Sequence, residues 1–132
     1  MVNYLNGKTD RFKCFVNHDG EFNSTTSYYS TEELYFMEYE FNGPPFENDE
    51  LYEKFSPHKY VKNWKTPMMV IHGKKDFRLT EIEGISTFTA LQRKGIDSKF
   101  LYFEDENHFV SKPLNSIEWH NEVKEWLSRY NQ

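Results

Sequence analysis

Two apolar runs of strand length, separated by a helical pattern, constrain the fold of this chain more than any other feature. Residues 68–72 form a continuous apolar run, as a strand covered on both faces does, and residues 98–103 form a second run with strand character. Residues 80–94 predict a helix that Gly95 ends, with these side chains on its apolar side: Ile82, Ile85, Phe88, Thr89 and Leu91. Strands that alternate with helices predict parallel pairing and an α/β fold.

Both ends of the chain extend this pattern. Residues 12–17 are short, apolar and rich in strand-forming residues, and the turn sequence at 18–20 ends them. Residues 1–5 have the pattern of a helix end, with Gly7 as a stop in left-handed geometry. Residues 115–130 predict a final helix, whose apolar side is formed by Ile117, Trp119, Val123, Trp126 and Leu127.

A long aromatic and acidic segment, residues 21–65, interrupts this alternation, and we interpret it as a lid-like insertion. Within it, the capping-box pattern at residues 30–33 predicts the start of one short helix. A second short helix is predicted from Asn48 to residue 55, where Ser56-Pro57 ends it.

Composition excludes several classes of partner. With a formal net charge of −5 and scattered basic residues, the chain offers no positive surface for nucleic acid. No apolar run has the length of a membrane span, so no membrane contact is expected, and no secretory signal is recognised, which leaves localisation open. Cys14, the one cysteine, is expected to be a small buried residue within the first strand. Asn23 heads a glycosylation sequon whose use the sequence leaves open.

An acid follows one predicted strand, and a histidine follows the next. Asp76 lies in the loop after residues 68–72, and His108 lies in the loop after residues 98–103. Ligands of open α/β sheets bind beyond the carboxyl ends of the strands, so these two side chains are expected to meet there. An Asp that orients an imidazole, which takes a proton from a serine hydroxyl, is the acid-base part of a Ser-His-Asp triad. Asp76 and His108 are therefore the predicted catalytic acid and base.

The chain order, acid before histidine, is typical of α/β-hydrolases, in which a serine on a Gly-x-Ser-x-Gly turn precedes both. No such turn occurs between Met1 and Gln132, so no nucleophile is assigned within this chain, which is expected to begin just after one. Asp105 and Glu106 are rival acids. We rank them below Asp76 because they share the short loop of His108.

Three further polar positions carry open alternatives. Asp19, after the first predicted strand, is either a substrate contact or a loop cap. Arg78 either faces the cleft and holds a substrate carbonyl or pairs with a nearby carboxylate. His72 closes a buried strand and is expected to be a hydrogen-bonded structural imidazole. The histidines lack metal-site spacing, so neither a metal nor a cofactor is predicted.

Several segments resemble one known family. Residues 72–79 resemble the acid loop of the prolyl oligopeptidase family of serine peptidases, and residues 105–108 resemble its histidine loop. Residues 12–23, 28–34 and 63–67 look similar to the branch that contains dipeptidyl-peptidases 5, with acylaminoacyl-peptidases as near relatives. The resemblance spans the whole chain.

The resemblance implies that residues 1–132 are the C-terminal portion of an α/β-hydrolase catalytic domain, with about three parallel strands, flanking helices and the insertion at 21–65. It implies that Asp76 is the triad acid and His108 the base. The nucleophile elbow, the oxyanion-hole donors, the first strands and the family's N-terminal β-propeller lie outside the chain, and the chain alone is expected to be inactive.

The function implied by this resemblance is a serine exopeptidase that cleaves peptide bonds near the N-terminus of peptides. An esterase or thioesterase with the same triad is the first alternative, and a catalytically dead binding or regulatory protein is the second. A peptide substrate is the expected ligand. The missing part of the domain or a full-length homologue is the expected protein partner, because a three-stranded piece exposes a sheet edge.

Overall fold

The computed structural model describes residues 1–131, which form three strands, six α-helices and a 3₁₀ helix. In chain order these are α1 (Val2–Asn6), β1 (Phe15–His18), α2 (Ser24–Ser30), α3 (Leu34–Phe41), α4 (Pro45–Phe55), the 3₁₀ helix (Pro57–Asn63), β2 (Met68–Gly73), α5 (Glu81–Arg93), β3 (Ser98–Phe103) and α6 (Pro113–Tyr130).

The three strands form one parallel sheet in the order β1-β2-β3. Met68, at the start of β2, lies opposite Phe15 of β1 on one side and Ser98 of β3 on the other. All six residues of β2 are buried, as its uninterrupted apolar run predicts. The sheet and its flanking helices confirm the predicted α/β fold.

Alternate side chains of β2 build a core on each face of the sheet. Met68 and Val70 pack in one cluster with Phe15, Trp64 and Leu91, which brings in α5 and the segment after the 3₁₀ helix. On the opposite face Met69 and Ile71 pack with Phe103 and with Trp126 of α6. The Trp126 indole also donates a 3.0 Å hydrogen bond to the Phe15 carbonyl, which ties α6 to β1.

The segment 21–65 lies within the connection between β1 and β2, and most of it is helical. Its inner side is anchored by Tyr52 and Trp64, both of which are fully buried. The sequence did not predict α2, which Asn23 caps by accepting hydrogen bonds from the Thr25 and Thr26 N–H groups.

Two helix starts within this segment differ from their predictions. Helix α3 starts at Leu34 without a side-chain cap, because the Thr31 hydroxyl accepts the Glu33 N–H ahead of the helix. Helix α4 begins at Pro45 and has its kink at Asn48, the residue predicted to begin it. A proline in the first turn favours the earlier start because its fixed φ suits a helix.

Helix α5 has the predicted extent, but its buried side agrees with the predicted one only at Leu91 and, in part, at Phe88. Ile82 and Ile85 are 49% and 41% exposed, whereas Glu83, Gly84, Thr87 and Leu91 are buried. Close polar contacts explain the difference. Glu83 accepts the N–H groups of Phe22 and Asn23, and Gly84 lies so near the ring of His72 that a Cβ there would be 2.7 Å from Nδ1.

Gly7 ends α1 for a different reason from the predicted one. Its φ is −87°, so it is not left-handed, and a Cβ at this position would lie 2.4 Å from the Cβ of Tyr60. Close approach of two segments therefore requires the glycine. Gly95, the predicted stop of α5, has a positive φ of 65°.

Two smaller corrections concern the ends of the chain. Cys14 lies just before β1 and is only half-buried, and burial raises the pKa of its thiol. Helix α6 begins at Pro113, two residues earlier than predicted, and of its predicted apolar side Trp126 is buried whereas Ile117 and Leu127 are exposed. Among residues 1–131, no helix combines the length and apolar character that a membrane span requires.

Candidate active site

Each strand of the sheet delivers one ionisable side chain to the same edge. Asp19 directly follows β1, Asp76 lies three residues after β2, and His108 lies in the loop after β3. Because the strands are parallel and in register, their carboxyl ends lie side by side and the three side chains converge.

The carboxylate of Asp76 is fixed by its own loop. Its Oδ1 accepts hydrogen bonds from the N–H groups of Arg78 and Leu79, at 2.9 and 3.0 Å, as an Asp in a tight turn does. Its Oδ2 lies 2.8 Å from Nδ1 of His108, and the side chain is fully buried. One oxygen therefore secures the loop while the other orients the ring.

The ring of His108 is held in one tautomer by that contact. A carboxylate oxygen accepts, so Nδ1 carries the proton and Nε2 is left with its lone pair. Nε2 makes no hydrogen bond within residues 1–131, and the side chain is 26% exposed. This is the state in which an imidazole can take up a proton from a hydroxyl group.

The loop of His108 is fastened to the end of β2. The Lys75 N–H donates to the Glu106 carbonyl at 2.9 Å, and a Cβ on Gly73 would lie 2.3 Å from the carbonyl oxygen of Asn107. The acid loop and the histidine loop therefore share a contact too close for any side chain larger than hydrogen.

The rival acids of the histidine loop have other partners. Glu106 is buried and accepts hydrogen bonds from the Ser111 and Lys112 N–H groups and from the Asn115 amide. Burial raises the pKa of Glu106, but these hydrogen bonds outweigh it and leave the pKa below its usual value. Asp105 is exposed and pairs with Lys112, whose hydrogen bond lowers the pKa of Asp105. Both acids organise the start of α6.

Asp19 lies close to the same imidazole, which the sequence did not predict. Its side chain is 4% exposed, and Oδ2 lies 3.7 Å from Nδ1 of His108 and 3.0 Å from Nε2 of His18. Asp19, Asp76 and His108 each offer one ligand atom within 4.8 Å of the others, which is the arrangement that could hold a cation. The His108 atom nearest both acids is already bonded to Asp76, and the absence of a metal stays a prediction.

His72 lies behind this group and is fully buried. Its Nε2 donates to the Leu79 carbonyl at 2.7 Å, and this hydrogen bond holds the acid loop against the end of β2. Its Nδ1 has no hydrogen-bond partner within residues 1–131 and lies 3.8 Å from Oδ1 of Asp19. The expected structural imidazole is thus hydrogen-bonded through one nitrogen only.

Of the two alternatives left open for Arg78, the structure shows the pairing with a nearby carboxylate. Its guanidinium forms a two-pronged ion pair with Glu33, at 2.7 and 2.9 Å. It also lines a cavity of about 390 Å³ beside His108 and a second cavity of about 420 Å³ that extends under α3. The second cavity is largely apolar and includes Phe36, Met37 and Leu79. A role of Arg78 in holding a carbonyl stays a prediction.

A serine-histidine contact occurs away from this edge. Ser56 Oγ lies 2.8 Å from Nδ1 of His58, and burial lowers the pKa of that histidine. Ser56 is fully buried and its hydroxyl oxygen accepts the Ser24 N–H, so it is a cap inside the insertion and not an accessible nucleophile.

Comparison with known proteins identifies the family. The model of the prolyl oligopeptidase family matches residues 1–132. The chain is 50% identical over 132 residues to dipeptidyl-peptidase 5 of Schizosaccharomyces pombe, in an alignment that covers 98% of this chain and 19% of that relative. Dipeptidyl-peptidase 5 of Trichophyton schoenleinii is 44% identical over 134 residues, with 98% and 18% covered. The chain thus spans about a fifth of the length of these relatives.

Solved structures show the same fold. An acylaminoacyl peptidase of Pyrococcus horikoshii superposes with a TM-score of 0.90 at 24% identity, covering 98% of this chain and 22% of that protein. An acylaminoacyl peptidase in complex with Z-Gly-Gly-Phe-chloromethyl ketone superposes with a TM-score of 0.89 at 25% identity, with the same coverage. On the match of its full length to the family model and on its identity to the two curated relatives, the chain belongs to the prolyl oligopeptidase family.

Proposed function

We propose that residues 1–132 supply the acid and the general base of a serine-type peptidase, with Asp76 and His108 in these two roles. The observation that carries the proposal is the 2.8 Å hydrogen bond from Nδ1 of His108 to a buried carboxylate at the carboxyl edge of a parallel sheet. The nucleophile is a serine hydroxyl from outside residues 1–132.

Each residue has a defined part in the proposed reaction. Nε2 of His108 takes the hydroxyl proton while the serine oxygen bonds to the carbonyl carbon of the substrate, and that carbonyl's π electrons move to its oxygen. The imidazolium then gives the proton to the leaving amine nitrogen as the carbon–nitrogen bond breaks. Asp76 stays a carboxylate throughout and stabilises the ring cation. In the second half, Nε2 takes a proton from water as the water oxygen bonds to the acyl carbon, and the imidazolium returns that proton to the serine oxygen as the ester bond breaks.

The proposed substrate is the N-terminal part of a peptide, as the names of the curated relatives suggest. The apolar cavity of about 420 Å³ beside Leu79 has room for one substrate side chain, and the cavity of about 390 Å³ beside His108 leads to the reacting atoms. Arg78 lines both, which supports the proposal that its guanidinium binds a substrate carbonyl.

A chimeric enzyme tests the proposal directly. Residues 1–132 replace the matched segment of the Schizosaccharomyces pombe relative, and hydrolysis of a dipeptide linked to p-nitroaniline is measured. We expect an active chimera in which His108→Ala lowers kcat about ten-thousandfold. His120→Ala, an exposed histidine of α6, is the matched control and should leave the activity unchanged. A folded but inactive chimera, or an active His108→Ala variant, would show that the proposal is wrong.

The same chimera separates a peptidase from an esterase. A peptidase hydrolyses the dipeptide anilide, whereas an esterase or thioesterase hydrolyses only a short ester or thioester with the same acid and base. The 132-residue chain, assayed alone on all three substrates, is expected to be inactive because it contains no Gly-x-Ser-x-Gly turn.

Association with another polypeptide is part of the proposal. Within the described residues β1 pairs only with β2, so its second edge is open to a further strand. The remainder of the domain, or a full-length homologue, is the proposed partner. Light scattering with and without the relative's preceding segment checks this, since an unchanged mass in the mixture would contradict it.

A further inference from the structure

Asp19 is a buried acid that takes part in no step of the reaction proposed above. Its side chain is 4% exposed, and its backbone has a φ of 50°, a left-handed conformation that Asp tolerates better than most residues. The conformation turns the chain sharply at the end of β1 and leaves the carboxylate inside the carboxyl edge of the sheet, beside His108.

The surroundings of Asp19 differ from those of a loop cap. A capping Asp accepts N–H groups of its own turn, as Asp76 does with Arg78 and Leu79. Within residues 1–131 the carboxylate of Asp19 accepts no backbone hydrogen bond, and its Oδ1 accepts no hydrogen bond of any kind. Three imidazoles surround it instead, at 3.0 Å for His18, 3.7 Å for His108 and 3.8 Å for His72.

This arrangement is costly for folding alone. A buried carboxylate that lacks hydrogen bonds destabilises the folded state unless a positive charge compensates it. The charge that appears nearby during the proposed reaction is the imidazolium of His108, which would lie between Asp76 at 2.8 Å and Asp19 at 3.7 Å from Nδ1.

We propose that Asp19 is a positioning residue that stabilises the imidazolium of His108 through its negative charge. This inference rests on the proposed function. The attraction grows when the hydroxyl proton reaches Nε2 and the ring becomes charged, so it favours the transition state over the bound substrate. The proton ends on the leaving amine as before, and Asp19 itself exchanges none.

The test is Asp19→Asn in the active chimera, because Asn keeps the shape of the side chain and removes its charge. We expect kcat to fall about tenfold with KM unchanged. Affinity for a dipeptide boronic acid, which forms a charged tetrahedral adduct, should fall in parallel. Glu83→Gln is the matched control, since Glu83 is equally buried but binds only backbone N–H groups, and it should change neither quantity.

The outcomes separate this inference from the proposed function. If His108→Ala abolishes activity while Asp19→Asn keeps the kcat of the parent chimera, the proposed base stands and the role of Asp19 is wrong. If Asp19→Asn raises KM and lowers thermal stability together, Asp19 is a packing residue and the inference is also wrong. If His108→Ala remains active, the proposed function itself fails.

Discussion

The carboxyl edge of the sheet and the insertion at 21–65 lie next to each other but are built in opposite ways. At the edge, backbone groups fix two of the buried acids, since Asp76 and Glu106 each accept two N–H groups. In the insertion, helix α3 has no buried residue, and Tyr35 and Tyr39 are 72% and 75% exposed. The edge is suited to holding reacting groups in place, and the insertion is suited to presenting a contact surface.

Buried glutamates show the same contrast in their electrostatics. Burial raises the pKa of Glu106 at the edge, but hydrogen bonds outweigh burial and lower the pKa overall. Burial also raises the pKa of Glu83, which anchors the start of the insertion, and there the two backbone hydrogen bonds do not compensate. Folding therefore favours the ionised form of Glu106 at the edge, and it favours the neutral form of Glu83, which anchors the insertion.

Replacing one acid in each region should give the largest difference. In the active chimera, Asp76→Asn is expected to lower kcat about ten-thousandfold, because the ring of His108 loses its orienting acceptor. Glu33→Gln, in the insertion, breaks only the partly exposed ion pair with Arg78, so its main expected effect is on KM. Steady-state kinetics on the dipeptide anilide measures both. Equal losses of kcat would contradict the contrast.

Replacing a glycine in each region compares their packing. Gly73→Ala is expected to destabilise the 132-residue chain by about 3 kcal/mol, because its methyl group would meet the backbone of Asn107 at 2.3 Å. Gly43→Ala should cost only about 1 kcal/mol, since its φ of 117° is strained for Ala but the nearest atom is 3.7 Å away. Urea denaturation gives both values. The reverse order would show that the edge can relax.

Neutralising each buried glutamate should give opposite pH dependences. The pKa of Glu106 is lowered by folding, so it contributes stability above the unfolded value near 4.5 that is lost as pH falls through the folded pKa. Glu106→Gln should therefore cost about 2 kcal/mol at pH 7 and less in acid.

The pKa of Glu83 is raised by folding, so its favourable contribution is present below 4.5 and is lost as pH rises through the folded pKa. Glu83→Gln should therefore increase the melting temperature at pH 7, and the gain should vanish toward pH 4. Thermal unfolding from pH 3 to 8 measures both variants, and parallel curves for the two would contradict the assignment.

The smallest effect is expected within the insertion. Phe36 lines the cavity of about 420 Å³ and is 58% exposed, whereas Phe46 is 72% exposed and lies outside that lining. Each change to Ala should alter the free energy of unfolding by less than about 0.5 kcal/mol. Only Phe36→Ala should raise KM for the dipeptide anilide. An equal rise for Phe46→Ala would mean that this cavity is not a substrate pocket.

The sequence predicted the elements whose signals are local. The buried run of β2, the extent of α5 and the positions of Asp76 and His108 after their strands depend on neighbouring residues alone. Helix α2 was missed because its Ser, Thr and Tyr residues are weak helix formers, and its stability depends on the Asn23 cap.

Other features depend on contacts between distant segments. The buried side of α5 is set by Phe22, Asn23 and His72, which no periodicity within the helix reveals. Asp19 was left between two roles because an Asp after a strand usually serves its own turn. Its three imidazole neighbours include His72 and His108, which are far from it along the chain.

The close contact between Gly73 and the carbonyl groups of Glu106 and Asn107 also limits insertions and deletions in the two loops that it joins. Loops joined this closely must shorten, lengthen or shift together, since displacing either one would pull the imidazole off its carboxylate. We expect additions to be tolerated far better around Gly43, where a Cβ would meet no atom closer than 3.7 Å. Diversity of binding preference among related chains should therefore accumulate between β1 and β2, with the spacing of the two later loops held constant.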